Sequence, residues 1–204
     1  MPLAEEAGLM QDIDRWVLAE ACAQIRDWTG PELPRMAVNL SGATLRHRGA
    51  FEYIARTARD HGVDPGRLEL EVTESVTMEQ GEAGAGTVGR LRQAGFHITV
   101  DDFGTGFSVL ARLRQFPVDK LKIDKSFVQE VGVGAADAPL LRAIVAMAEG
   151  LGLVVVAEGV ETPEQAELVK RLGCDLAQGY LFGLPAPVPA LEVRGRFLAG
   201  LPIP

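Results

Sequence analysis

The chain has 204 residues, 47% hydrophobic and 24% charged, which suits one folded domain with a sizeable core and excludes a disordered chain. Its formal net charge of −8 and pI near 5.0 argue against polymeric nucleic acid as a partner, since long polyanions are held through Lys and Arg. Two cysteines far apart, no secretory h-region and no apolar run near the roughly 20 residues of a bilayer span point to a cytoplasmic setting without membrane contact.

In chain order, Ile13, Trp16, Val17 and Ala21 predict one apolar face of a first helix that stops before Gly30-Pro31. Residues 36–40 read as a strand. Phe51, Ile54, Ala55 and Ala58 mark a second helix ending near Gly62. A strand over 68–72 alternates Leu68, Leu70 and Val72 with Glu69 and Glu71. Residues 80–94 form the weakest helix, because Gly81, Gly84, Gly86 and Gly89 each cost about 1 kcal/mol relative to Ala. Strands follow at 97–101 and 120–123. Pro139 suits the first turn of a helix carrying Leu141, Ile144, Val145 and Ala148, with Gly152 as its C-cap. A strand at 153–157 precedes Thr162-Pro163-Glu164-Gln165, a capping-box pattern whose helix closes at Gly173. A last, weaker strand spans 176–180. From Ala186 onward a proline-rich segment with Leu191, Val193, Phe197 and Leu198 is expected to pack a final helix.

Six strands alternating with helices predict an α/β fold, either a (β/α) barrel or an open doubly wound sheet. Strands covered by helices on both faces of an open sheet read as nearly continuous apolar runs. Here Glu69 and Glu71, and again Lys120 and Lys122, alternate with apolar residues. That pattern favours a barrel with a polar lumen.

At the C-terminal strand ends stand Asn39, Glu71, Asp101, Asp102, Lys122, Glu158, Glu161 and Gln178. In barrel enzymes this rim builds the active site. Two like charges about 4 Å apart repel by about 4 kcal/mol at an effective dielectric near 20, so a carboxylate cluster invites neutralisation by Mg²⁺ or Mn²⁺. Each residue taken singly has a plainer reading. A strand-end acid is often a solvated loop residue, Asn39 before Ser41 suits a turn, and residues 102–106 suit a βα turn. Lys122 could be neutralised by Glu69 or Glu71, and Glu161 could serve a helix N-terminus. Their conjunction on successive strand ends carries the metal-site reading.

With these residues assembled, the chain closely resembles the EAL family of cyclic di-GMP phosphodiesterases, bacterial second-messenger enzymes. The matching stretches are Pro2-Leu3-Ala4-Glu5-Glu6, Val38-Asn39-Leu40-Ser41, Leu68-Glu69-Leu70-Glu71-Val72-Thr73-Glu74-Ser75, Asp101-Asp102-Phe103-Gly104-Thr105-Gly106, Leu121-Lys122-Ile123-Asp124, Ala157-Glu158-Gly159-Val160-Glu161-Thr162 and Gln178-Gly179-Tyr180. The resemblance implies a TIM-type barrel that hydrolyses cyclic di-GMP to the linear dinucleotide pGpG with Mg²⁺ or Mn²⁺, while Ca²⁺ binds without turnover. It implies Asn39, Glu71, Asp101 and Asp102 as the metal set and Glu158 as general base. Lys122 would place water or stabilise charge, with Glu161 and Gln178 in support. Glu74 would anchor the loop from Phe103 to Ser108, which the family links to dimerisation. A homodimer and upstream sensory or GGDEF domains are implied partners. Phe107 stands where Tyr is usual, and Val109 where Ser is usual.

The Glu-Ala-Leu tripeptide that names the family is absent. Glu20-Ala21-Cys22 and Glu82-Ala83-Gly84 are the nearest strings, and neither is in place. Residues 1–204 therefore read as an EAL-type domain lacking its first two strands and one metal-ligand glutamate, with weak or no hydrolysis expected of this chain alone. The alternative is a module that binds cyclic di-GMP without cutting it. An enolase-type barrel fits less well, because Glu71 and Asp101 precede the lysines rather than follow them. A purely structural role leaves the site chemistry without a purpose. His47, His61 and His97 have no metal-like spacing.

Overall fold

A computed structural model describes residues 2–28, 35–74, 76, 81–104, 116–129 and 138–186. The strands are hydrogen-bonded in chain order, β1-β2-β3-β4-β5-β6. The chain divides into two units, Met1–Val100 with Ser108–Val118, and Asp101–Phe107 with Asp119–Pro204. Each is described in turn.

The first unit holds helices α1 (Pro2–Glu6), α2 (Met10–Asp27), α3 (Gly42–Arg46), α4 (Ala50–Asp60) and α5 (Gly81–Gln93). Its strands are β1 (Met36–Asn39), β2 (Leu68–Thr73) and the first part of β3 (His97–Phe103). β1 pairs with β2 in parallel, and the register sets Asn39 beside Glu71. In β2, Leu68, Leu70 and Val72 are buried, and so are Glu69 and Glu71, which alternate with them. Thr99 Oγ1 donates to Glu69 Oε1 over 2.7 Å, which gives that buried carboxylate a neighbouring-strand partner.

The expected face of α2 is corrected. Met10, Asp14, Leu18, Cys22 and Ile25 are buried, whereas Trp16 is 66% exposed and Ile13, Val17 and Ala21 are half-buried. The inward stripe follows steps of four and three residues and contains an aspartate, so counting apolar residues alone selected a neighbouring stripe. Asp14 is there because it accepts from the Ser41 backbone N–H over 2.8 Å and from Ser41 Oγ over 2.6 Å. The Ser41 hydroxyl in turn caps α3 by accepting from the Thr44 N–H. Helix α5 forms despite its glycines. Val88 and Leu91 bury fully, and tertiary packing outweighs weak propensity.

The second unit holds the end of β3, strands β4 (Lys120–Ile123), β5 (Val154–Ala157) and β6 (Leu176–Ala177), and helices α6 (Lys125–Gln129), α7 (Pro139–Gly150) and α8 (Pro163–Arg171). β4 pairs with β5, and β5 with β6, all in parallel. Leu141, Ile144, Val145 and Ala148 are buried on α7 as the spacing predicts, and Gly152 follows that helix at φ +69°. The capping box of α8 is present in full: Thr162 Oγ1 accepts from the Gln165 N–H while the Gln165 side chain accepts from the Thr162 N–H. β6 is shorter than the expected 176–180, because Gly179 and Tyr180 leave the ladder for a turn. The expected helix after Ala186 and the positions of Phe107 and Val109 lie outside the described residues.

Asp14→Ala leaves the part-buried Ser41 N–H and hydroxyl without their acceptor and is expected to lower unfolding free energy by about 2 kcal/mol in urea titrations. Asp12→Ala, on the exposed side of the same helix, should change it by less than about 0.5 kcal/mol. Equal losses in the two variants would contradict this role for Asp14.

Candidate active site

The ends of β3, β4 and β5 place the acidic centre within the second unit. In β4, Leu121 and Ile123 bury on one side of the pleat and Lys122 on the other, where Lys122 is 5% exposed. Its register partner on β5 is Val156, two residues before Glu158. The Glu158 N–H donates to the Ile123 carbonyl over 3.1 Å, so the β4–β5 pairing continues one residue past the strand and carries Glu158 to the end of Lys122's side chain. Lys122 Nζ lies 2.6 Å from Glu158 Oε1 and 3.0 Å from Asp101 Oδ1.

Asp101 and Asp102 lie near the end of β3, just before its last residue, Phe103. Asp102 has φ of 55°, the one non-glycine residue with positive φ among those described. An L-residue reaches that region at a cost, and Asp and Asn reach it more readily than most. The turn lets consecutive residues, which would alternate faces in a regular strand, offer both carboxylates to one place. Asp101, Asp102 and Glu158 each present an oxygen, all within 4.8 Å of one another. The Asp102 N–H also donates to Asp101 Oδ1 over 3.1 Å.

The backbone around Glu158 is held on both sides. Gln178 N–H donates to the Ala157 carbonyl over 2.8 Å, and Val160 N–H to the Gln178 carbonyl over 3.0 Å. Gly159 stands at φ +66° with its α-carbon against the Lys125 side chain, and a Cβ at Gly179 would overlap the Val160 backbone. Both are glycine because the chain passes there without room for a side chain. These close approaches explain the spacing Glu158-Gly159 and Gln178-Gly179.

Burial, followed by the charges of Asp101 and Asp124, raises the Asp102 carboxyl above the ordinary carboxylate range, with Lys122 and Lys125 opposing. Burial likewise raises Glu158; Lys122 opposes this, and the charges of Asp101 and Asp102 add to it. Three carboxylates against one ammonium leave two negative charges in a small, partly desolvated volume. An all-oxygen donor set carrying that excess fits a hard dication such as Mg²⁺ or Mn²⁺.

The other expected residues fall elsewhere. Glu71 is buried and Asn39 exposed, side by side at the ends of β2 and β1 in the first unit. Glu74 is buried in that unit too, and most of the loop it was expected to anchor lies outside the described residues. Glu161 is exposed and accepts from Gln129 Nε2 over 3.5 Å, outside the three-carboxylate group. Gln178 joins through its backbone, as above, and its side chain is exposed. The sequence reading overlooked Lys125 and Asp124, whose charges both act on Asp102. Their place directly after a strand with a site lysine was the available signal.

A family model described as the EAL domain matches residues 1–185. The chain belongs to the EAL domain family. It is 42% identical over 193 residues to the bifunctional diguanylate cyclase/cyclic di-GMP phosphodiesterase MucR of Pseudomonas aeruginosa, covering 94% of this chain and 28% of MucR. It is 41% identical over 192 residues to the cyclic di-GMP phosphodiesterase NbdA of the same organism, covering 93% of this chain and 24% of NbdA. The chain thus spans less than a third of the length of these relatives. Among solved structures, the MucR phosphodiesterase in complex with c-di-GMP matches with a TM-score of 0.86 at 42% identity, over 92% of this chain and 83% of that one. The fold is therefore of the α/β barrel class, as the polar alternation of the strands suggested.

A raised carboxylate destabilises the fold where it is ionised. Its contribution to stability is present at low pH and lost as pH rises through the folded-state value. In metal-free buffer, Asp102→Asn is expected to melt above the parent at pH 7, with the difference shrinking as the pH is lowered to the ordinary aspartate value of about 4. Asn also tolerates the positive φ. A pH-independent difference between the two melting curves would contradict the electrostatic origin.

Proposed function

We propose that this EAL domain is built to hydrolyse cyclic di-GMP to linear pGpG with Mg²⁺ or Mn²⁺, with weak turnover by this chain alone because the Glu-Ala-Leu glutamate is absent from it. The observation that carries the reading is the buried Lys122 ammonium between Asp101 and Glu158, beside the third carboxylate of Asp102. The cyclic di-GMP phosphodiesterase names of MucR and NbdA, and the c-di-GMP complex of MucR, support the substrate. Asp101 and Asp102, with Asn39 and Glu71 as further oxygen donors, would hold the metal. When bound, it supplies a Lewis acid for the phosphoryl oxygen and lowers the pKa of a coordinated water. Glu158, its proton affinity raised by burial, takes a proton from the attacking water. Lys122 fixes the Glu158 carboxylate and offsets charge that develops on the phosphate. Glu161, through Gln129, and Gln178, through its backbone, steady the loop that carries Glu158. Glu74 is proposed to anchor the loop after Asp102.

Around this core the proposal includes a homodimer, a cytoplasmic setting, and sensory or GGDEF domains elsewhere in the intact protein. The last is supported by the bifunctional character of MucR. Among the described residues no helix is long and apolar enough to cross a membrane.

With Mn²⁺, formation of pGpG followed by chromatography is expected to fall by about 10²-fold or more in Glu158→Gln, the typical span of a lost general base, and by a similar factor in Lys122→Met. Ca²⁺ should support binding of the cyclic dinucleotide without product. Turnover unchanged in Glu158→Gln would remove the general-base assignment. Binding with no turnover in the parent under Mn²⁺ would convert the reading into a sensor module.

A further inference from the structure

The first unit contains a cavity of about 580 Å³ lined by Ile25, Arg26, Trp28, Val63, Asp64 and Arg67 among others. Its place follows from the chain. Arg67 closes the short 3₁₀ turn of Pro65–Arg67, immediately before Leu68 opens β2. Glu71 lies four residues along that strand, so at about 3.3 Å per residue the two α-carbons are about 13 Å apart. The cavity therefore belongs to the opposite strand end from Asn39 and Glu71, and none of Asp101, Asp102 and Glu158 lines it.

Arg67 decides what the cavity can hold. Its Nε and Nη2 are both buried, and neither has a hydrogen-bond partner among the described residues. A guanidinium is always charged, and burying its donors without acceptors is costly, so such groups in native proteins call for an explanation. Nε and Nη2 form the side-on edge of the guanidinium, the pair of parallel donors that matches two oxygens of a carboxylate or phosphate. Asp64, the acid on the wall, is exposed, and its Oδ1 accepts from the Gly66 N–H over 2.8 Å. The nearby Arg35 places its Nε on the Gly66 carbonyl over 3.2 Å and adds a second positive charge close by. Apolar groups line the same cavity: Ile25 and Val63 are buried, and Trp28 is half-buried. A volume within the range of small-molecule pockets, an apolar wall with an indole, and one convergent cationic fork form a coherent set.

We propose that this cavity is a second binding site, for a small organic oxyanion whose carboxylate or phosphate meets the Nε and Nη2 edge of Arg67 while its flat apolar body lies against Trp28. The chain has two tryptophans, and Trp16 is 66% exposed on another part of the same helical segment. Trp16→Phe therefore leaves Trp28 as the only indole and an intrinsic reporter.

In the Trp16→Phe chain, phenyl phosphate and benzoate are titrated separately against Trp28 fluorescence, with inorganic phosphate as the oxyanion lacking a ring. At least one ring-bearing anion is expected to give a saturable change by about 10 mM, and inorganic phosphate a weaker one. Which ring-bearing anion binds tighter identifies the headgroup. Arg67→Met is expected to weaken binding by about tenfold or more, and Arg67→Lys by less, since it keeps the charge and loses the fork. Circular dichroism checks that each variant is folded, and Arg67→Lys carries the comparison if Arg67→Met is not. No saturable change with either ring-bearing anion would overturn the proposal. So would the same affinity in the Arg67 variants as in the parent, or equal affinity for inorganic phosphate and the ring-bearing anions.

Discussion

Lys122 sits almost out of water between two carboxylates, 3.0 Å from Asp101 and 2.6 Å from Glu158. A buried ammonium is tolerable only when opposite charges face it, and carboxylates gathered so closely repel one another unless a cation stands among them. The ends of β3, β4 and β5 are tied together by this mutual need. Lys122 neutralises part of the excess and leaves the remainder, two negative charges, for a dication. The same ammonium thus sets how much positive charge the site still lacks.

The backbone makes this arrangement at modest cost. Asp102 adopts φ of 55°, so that two successive aspartates serve one place. Glu158 leaves β5 still hydrogen-bonded to Ile123 of β4, and the residues after it are gripped by Gln178 from the β6 side. Gly159 and Gly179 pass where no side chain fits. A side chain held by neighbouring strands on both flanks needs little further ordering when it acts, which is the physical content of preorganisation.

Much of this was legible in the sequence. Strand β4 and the buried residues of α7 follow directly from apolar spacing, and the Thr162–Gln165 box follows from capping chemistry. The acids at the strand ends were visible as a set because a parallel sheet sends its C-terminal ends the same way. The failures have physical causes. On α2 the stripe through Trp16 looked more apolar than the true one, which contains Asp14; a buried acid serving Ser41 is invisible to hydrophobic counting. Which neighbour satisfies a lumen-side acid could not be read either: the Glu69 carboxylate accepts from Thr99 on a neighbouring strand, 30 residues away in sequence. Lys125 and Asp124 were passed over because their influence on Asp102 depends on distance in space.

The central claim is that the acidic pocket where Asp101, Asp102 and Glu158 meet takes up a hard dication through its two aspartates. Electron paramagnetic resonance of Mn²⁺ titrated into the chain addresses it directly, since free and bound ion give different signals. Saturable uptake that is lost in Asp101→Ala and retained in Glu161→Ala is the outcome required here. Uptake indifferent to Asp101 would show that the aspartates of this pocket do not hold the ion.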